Sequence, residues 1–451
     1  MIHQSLFSQW LEARLAKVRR SAFLRSLAGV GGLSAVELVL GLLIAIQLAR
    51  ALGVEGLGVY SLALAVVVIA GIPVELGLLN LVMREIAHDN SDRESGIAKA
   101  VLIFAFVTIG MMSVIVIPLT LIFGGALVPA LGAADGSILL TAVGLIPLTT
   151  LGKTIGAALA GKQRIICGLI PQRLVRPGIF AIALGAVSLL EPGWLTPTRA
   201  MALHLAAATV SLAVGGLFFI GSFANDLRRR SAVISWRAWS MATLRLGVSS
   251  GIQVGQGQVL LLVAGILSST ADVGLLRIAQ RAASLVGLGT SIAYIASAPH
   301  IAQLNASGQT DGLQRLLPQI ARASSAVAGL ALVCIIFGGH VLLDTLFGAG
   351  FVAALSTIII LGAAETMRAL FGPGTVLMNM VRREGIAAGG FTISLVVGTS
   401  IATLLIPTYG ADGAAWGSFF GATLMSLFLW YKSRRVLFLD PSVFGWPVHR
   451  K

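Results

Sequence analysis

Residues 49 to 89 read ARALGVEGLGVYSLALAVVVIAGIPVELGLLNLVMREIAHD. A short hydrophilic corner, Arg50 to Gly56, opens into an apolar run from Leu57 to Met83 that stops at the charged pair Arg84-Glu85. A run of that length exceeds the roughly 20 residues a helix needs to cross a hydrocarbon core, so it predicts a membrane span with both exits marked by charge. Pro73 and Glu75 fall inside it. A helix-weakening residue and a carboxylate are costly in lipid, so the span is expected to border protein or water at that depth.

The composition extends this plan to the whole chain. Of 451 residues 57% are hydrophobic and 11% charged, and the mean hydropathy is +0.93. The charged share is less than half that of a soluble domain, which makes the chain a polytopic helical membrane protein. Its net charge of +14 does not point to nucleic acid, because Lys and Arg sit in short segments between apolar runs. Cys167 and Cys334 stand far apart with no ligand spacing around them, so they read as unpaired residues in or near spans, and no cofactor or metal is called for. Paired carboxylates, histidine clusters and nucleophile motifs are also missing, which argues against an enzyme.

In chain order, residues 1–26 alternate Leu6, Phe7, Trp10 and Leu15 with Arg14, Lys17, Arg19 and Arg20, an amphipathic segment suited to the inner leaflet. Spans are then predicted near 27–48, 57–83, 97–123, 136–160, 165–190 and 198–222. After a break carrying Arg228-Arg229-Arg230 they resume near 244–268, 272–299, 318–343, 351–371, 385–406 and 412–431. The expected organisation is an all-α protein of about twelve spans, six on each side of the break. An N-lobe (27–222) and a C-lobe (244–431) flank a linker (223–243), and a tail (432–451) follows. With the N-terminus inside, the inner segments, counted together with Lys99, Lys153, Arg173, Arg176, Arg245 and Arg322 of the adjoining spans, hold 27 of the 32 Lys and Arg residues. The positive-inside rule therefore places both termini and the linker in the cytoplasm.

Two equal halves invite a search for an internal repeat. Sliding residues 31–63 onto 247–279 without gaps matches Gly31 with Gly247, Ser34 with Ser250, Gly41 with Gly257, Gly58 with Gly274 and Ala63 with Ala279. The same register sets Glu37 against Gln253, and both are expected to approach the central axis. An even number of spans in each half makes these parallel repeats, whose first two spans would line the cleft between them.

The quoted stretch, extended back to Leu48, resembles the first two spans of the polysaccharide repeat-unit flippases, the O-antigen and exopolysaccharide exporters of the MOP superfamily. GAALAGKQRIICGLIPQRLVRPGIF (156–180), ASAPHIAQLNASGQTDGLQRL (296–316) and LLIPTYGADGAAWGS (404–418) are similar to later parts of that family in the same order. The resemblance covers nearly the whole chain. It implies two six-helix lobes in a V, alternating access, and passage of an undecaprenyl-diphosphate-linked oligosaccharide from inner to outer leaflet for lipopolysaccharide or other surface polysaccharide. Implied partners are membrane lipids, H+ or Na+ as a coupling ion, and a polysaccharide polymerase. A multidrug or metabolite cation antiporter of the same superfamily is the alternative. A membrane glycosyltransferase or polymerase fits less well, since the outer connections are short and nearly uncharged.

The charges within spans bear on that substrate. Arg277 and Arg281 lie one helical turn apart, and each costs about 2.5–3.5 kcal/mol at mid-membrane on insertion scales, so both are expected to face a wet cleft. A guanidinium fork suits a diphosphate, and Gln253, Gln256 and Gln258 are candidates to meet the sugars. Two other readings are snorkelling to a helix end and pairing with Asp272. Glu37 and Glu75 are candidate cavity acids, binding a coupling ion or neutralising an arginine across the cleft. Glu365 and Arg368, three apart, read as a local ion pair.

Overall fold

The computed structural model describes residues 31–89, 96–124, 137–191, 193–224, 235–244, 247 and 251–445, with helical backbone alone at 2–30, 125–127, 225–227 and 245–250. Every regular element among the described residues is helical. In a bilayer this is forced: without water, backbone donors and acceptors must be satisfied inside each segment. Two helices are long enough to be two spans each. Ile2–Glu75 is interrupted at Gly53 (φ 68°, ψ −175°) and Glu384–Lys432 at Gly410 (φ 53°, ψ −127°), left-handed conformations that a glycine accepts.

Divided there, the first half holds spans at 31–52, 54–75, Ile97–Gly124, Ser137–Gly161, Ile165–Leu190 and Pro197–Ala224. The second half holds Trp236–Leu267, the pair Thr270–Val286 and Leu288–Ala306 bent by 49°, Thr310–Phe347, Ala349–Leu370, 384–409 and 411–432. That is twelve, at nearly the expected boundaries. One end of the bundle, the basic end, carries Arg84 of the helix Leu78–Asp89 and Lys162, Arg164, Arg382 and Arg383 in the turns. The opposite, neutral end carries the breaks at Gly53 and Gly410.

The second span is shorter than its apolar run. It stops at Glu75, because Pro73 supplies no N–H to the preceding turn and Gly77 turns the chain in a left-handed conformation (φ 72°). Leu78–Asp89 is a separate amphipathic helix that buries Leu78, Leu81, Val82 and Ile86. Glu75 therefore sits at the basic end of its span, not at mid-depth.

Two more expectations change. Lys153, Arg173 and Arg176, counted above with the inner segments, lie well within spans four and five. The last residues do not hang free up to 445. Leu439, Asp440 and Ser442 are buried, the Val443 N–H donates to the Leu370 carbonyl at 3.0 Å, and Arg322 Nε donates to the Val443 carbonyl at 2.9 Å. The amphipathic character of residues 1–26, the arginines 228–230 and residues 446–451 lie outside the described side chains.

The two halves meet most closely near the neutral end. A Cβ on Gly58 would lie 1.8 Å from the Thr270 carbonyl oxygen, and one on Gly274 would lie 2.1 Å from that of Val54. The repeat register equates Gly58 with Gly274 and Val54 with Thr270, so spans two and eight cross as mirror partners, backbone to backbone. Around the crossing one buried cluster runs from Leu48 and Leu57 to Leu276, Phe347 and Phe351. Arg50 reaches over it to donate to the carbonyls of Thr345 and Leu346, the latter at 2.9 Å. Cationic donors at a helix C-terminus satisfy orphan carbonyls and complement the dipole.

Candidate functional site

From this closed end a cavity of about 450 Å³ runs toward the basic end. Its walls come chiefly from spans one, two, four and five, closed on the far side by Gly251 and Val254 of span seven and Arg277 and Arg281 of span eight. At its inner limit Tyr60 Oη and His204 Nδ1 are 2.8 Å apart. Phe180 stacks on His204 with ring centroids 4.7 Å apart. The Tyr60 oxygen lies within Coulombic reach of the Arg176, Arg277 and Arg281 guanidinium groups.

Span five is shaped for this. Pro171–Val175 forms one π-helical turn, in which the Arg176 N–H reaches back to the Pro171 carbonyl. Pro177 has no N–H to give the carbonyl four residues before it, and Ser211 Oγ donates to the Pro171 carbonyl at 2.6 Å. The widened turn, a form common at functional sites, presents Arg173 toward span one and Arg176 into the cavity.

The charges divide into pairs and a remainder. Arg173 Nε is 3.5 Å from the Glu37 carboxylate, and its Nη1 donates to Ser34 Oγ at 2.6 Å. Lys153 Nζ is 2.6 Å from the Glu75 carboxylate. Among the described residues, Arg176, Arg277 and Arg281 have neither a carboxylate within ion-pairing distance nor a side-chain hydrogen bond.

Four of the sequence candidates meet here, and Gln253, Gln256 and Gln258 do not. Arg277, Arg281, Glu37 and Glu75 line the cavity. Asp272 does not pair with the arginines; it accepts hydrogen bonds from Ser268, Ser269 and the Ala411 N–H, the last at 3.3 Å. Gln253 points away, exposed, and Gln256 donates to Ser394 Oγ. The reason is helical phase: Gly247, Gly251 and Gly255 give span seven a flat face against Leu76 and Ile72 of span two, and residue 253 lies on the opposite side. Glu365 pairs with Arg368. Arg176, Lys153, Tyr60 and His204 were not singled out from sequence. Arg176 followed by Pro177, inside an apolar run, was the available signal.

The same repeat register relates two pairs of spans. Spans two and seven are in contact down to Leu76 against Gly247. The equivalent pair, Ile292 of span eight and Gly31 of span one, is apart. Nothing lies within 4 Å of a Cβ on Gly31, and Ile292 and Val39 are 59% and 63% exposed. Span eight bends by 49° at Gly287. Among the described residues, spans one and eight are therefore not in contact beyond the bend.

Two sets of six spans, packed together at one end and parted around a basic cavity at the other, make this a polytopic helical membrane protein. The chain belongs to the polysaccharide biosynthesis protein family, whose model matches residues 26–305. No curated protein matches the sequence. Among solved structures, it is similar to a multidrug resistance MATE family transporter in an inward-facing conformation (TM-score 0.70, 15% identity, 88% of this chain and 94% of that one). It is similar too to the lipid II flippase MurJ in an inward closed conformation (TM-score 0.69, 12% identity, 90% and 87%). An outward-facing conformation of a MATE family transporter superposes with a TM-score of 0.58, at 14% identity over 89% and 92% of the two chains.

Proposed function

We propose that this protein is a flippase that moves an undecaprenyl-diphosphate-linked oligosaccharide from the inner to the outer leaflet of a bacterial inner membrane, by alternating access between its two lobes. The observation that carries this reading is the convergence of Arg176, Arg277 and Arg281, none ion-paired to a carboxylate among the described residues, in a cavity bounded by spans one and eight. Guanidinium groups bind phosphate oxygens in a fork, and a polyprenyl tail can stay in the bilayer through the gap between spans one and eight. The cation-exporting alternative shares the fold, but three uncompensated positive charges repel its substrate. With the basic end in the cytoplasm, the cavity faces the leaflet where such a substrate is made. Each negative charge leaving a negative interior gains about 2.3 kcal/mol per 100 mV, so the potential favours the loaded step. The lobes are then 27–222 and 244–431, and either Glu37 or Glu75 is available to a coupling H+ or Na+ once its basic partner moves.

Replacing Arg277 and Arg281 together with Gln tests this. The variant is expected to insert at normal levels, since it removes uncompensated charge, yet to abolish surface polysaccharide and leave lipid-linked units in the inner leaflet. Lys at both positions is expected to restore only part of the display, because a point charge lacks the fork. Full display by the Gln variant at normal expression overturns the reading.

A further inference from the structure

A diphosphate linking a lipid to a sugar carries one negative charge on each phosphate, whereas three guanidinium groups in the cavity have no carboxylate partner. The nearby acids are engaged elsewhere. Glu37 pairs with Arg173 and also acts through space on Arg176 and Arg281, Glu75 meets Lys153, and Asp272 is held by Ser268, Ser269 and the Ala411 N–H, so the five cations Lys153, Arg173, Arg176, Arg277 and Arg281 still exceed the two carboxylates beside them by three. Arginine cannot shed its proton to relieve the imbalance, and charge withdrawn from water without a partner is strongly unfavourable. A diphosphate alone would leave one arginine uncompensated when the cavity closes around it.

The arrangement says which one. Arg277 and Arg281 stand on successive turns of one helix and match two neighbouring phosphates. Arg176 faces them from span five, on the turn before Phe180, whose ring stacks on His204. Resting on the flippase reading, we propose that the translocated unit is acidic: a sugar near the diphosphate bears an anionic group, of the uronic-acid carboxylate type, and Arg176 holds it. Carboxylate suits a guanidinium as well as phosphate does, in the same bidentate geometry.

The test compares two probes, short-chain polyprenyl diphosphates carrying glucose or glucuronic acid, binding to the full-length protein in phosphatidylcholine vesicles, where no anionic headgroup competes. The glucuronyl probe is expected to bind about tenfold tighter or more, the scale of a charge-assisted hydrogen bond. Arg176→Gln should bring the ratio of the two affinities close to one, and Arg176→Lys should keep part of it. Equal affinities for the wild type, or a Gln variant that weakens both probes in the same proportion, overturns the proposal. So does loss of the ratio on adding phosphatidylglycerol, which would make the third charge lipid-borne. Binding of neither probe to folded protein overturns the flippase reading itself.

Discussion

Adding a single methyl group at Gly274 is expected to force open the seam at the neutral end. Its carbon would lie 2.1 Å from the Val54 carbonyl oxygen, against an ordinary C···O approach of about 3.3–3.6 Å, so spans two and eight must part by more than about 1 Å. The obstacle is backbone on an opposing helix and cannot rotate aside. Overpacking of this kind costs about 1–3 kcal/mol, and the cost falls only on the state in which the helices cross. A differential of that size shifts a two-state equilibrium by roughly 5- to 150-fold. The assay is cross-linking between V54C and G350C in a background lacking Cys167 and Cys334; a Cβ on Gly350 sits 3.3 Å from Val54 Cγ2, so the closed seam brings the two together. Gly274→Ala should slow cross-linking severalfold or more. Gly257→Ala, where nothing lies within 4 Å, should not. Because Gly58 meets Thr270 reciprocally, Gly58→Ala should reproduce the effect without adding to it. An unchanged cross-linking rate in Gly274→Ala would refute both the close crossing and the symmetry argument.

Reporters active on one side of the membrane, fused after residues 132, 228, 348 and 440, should report the outside at 132 and 348 and the cytoplasm at 228 and 440; outside activity at 228 or 440 is incompatible with twelve spans. The docked tail makes a second claim, since the Asp440 carboxylate accepts from Trp430 Nε1 at 3.1 Å, the Ser442 N–H at 3.0 Å and Ser442 Oγ at 2.7 Å. Asp440→Ala should cost about 1–3 kcal/mol by orphaning buried donors, read as a lower melting temperature in detergent, and an unaltered melting temperature would show that the tail is not bound there. Cysteine at 37 should be reached by a small hydrophilic thiol reagent and cysteine at 253 should not; equal labelling would place residue 253 in the cavity after all.

Spans were legible in the chain because their cause is local. A run such as Leu57 to Met83 must be helical in lipid wherever its neighbours lie, and the alternation of basic and neutral connections orders the runs without reference to packing. The repeat was legible as well, through glycines that both halves need at the same crossing. Arg277 and Arg281 announced themselves because two arginines one turn apart are intolerable facing lipid. Arg176 and Lys153 fall inside the predicted spans 165–190 and 136–160, but the positive-inside count assigns them to the cytoplasmic segments, which hides their place in the wall of a cavity. Gln253 and Gln256 failed for the opposite reason: they are polar in a span, but the glycine face of span seven, turned toward span two, decides which way they point. Composition along the chain records what each residue costs in lipid. Only the packed bundle decides which charges meet, because Glu37 with Arg173 and Glu75 with Lys153 are brought together by helices far apart in sequence, and what those pairs leave unneutralised defines the cavity.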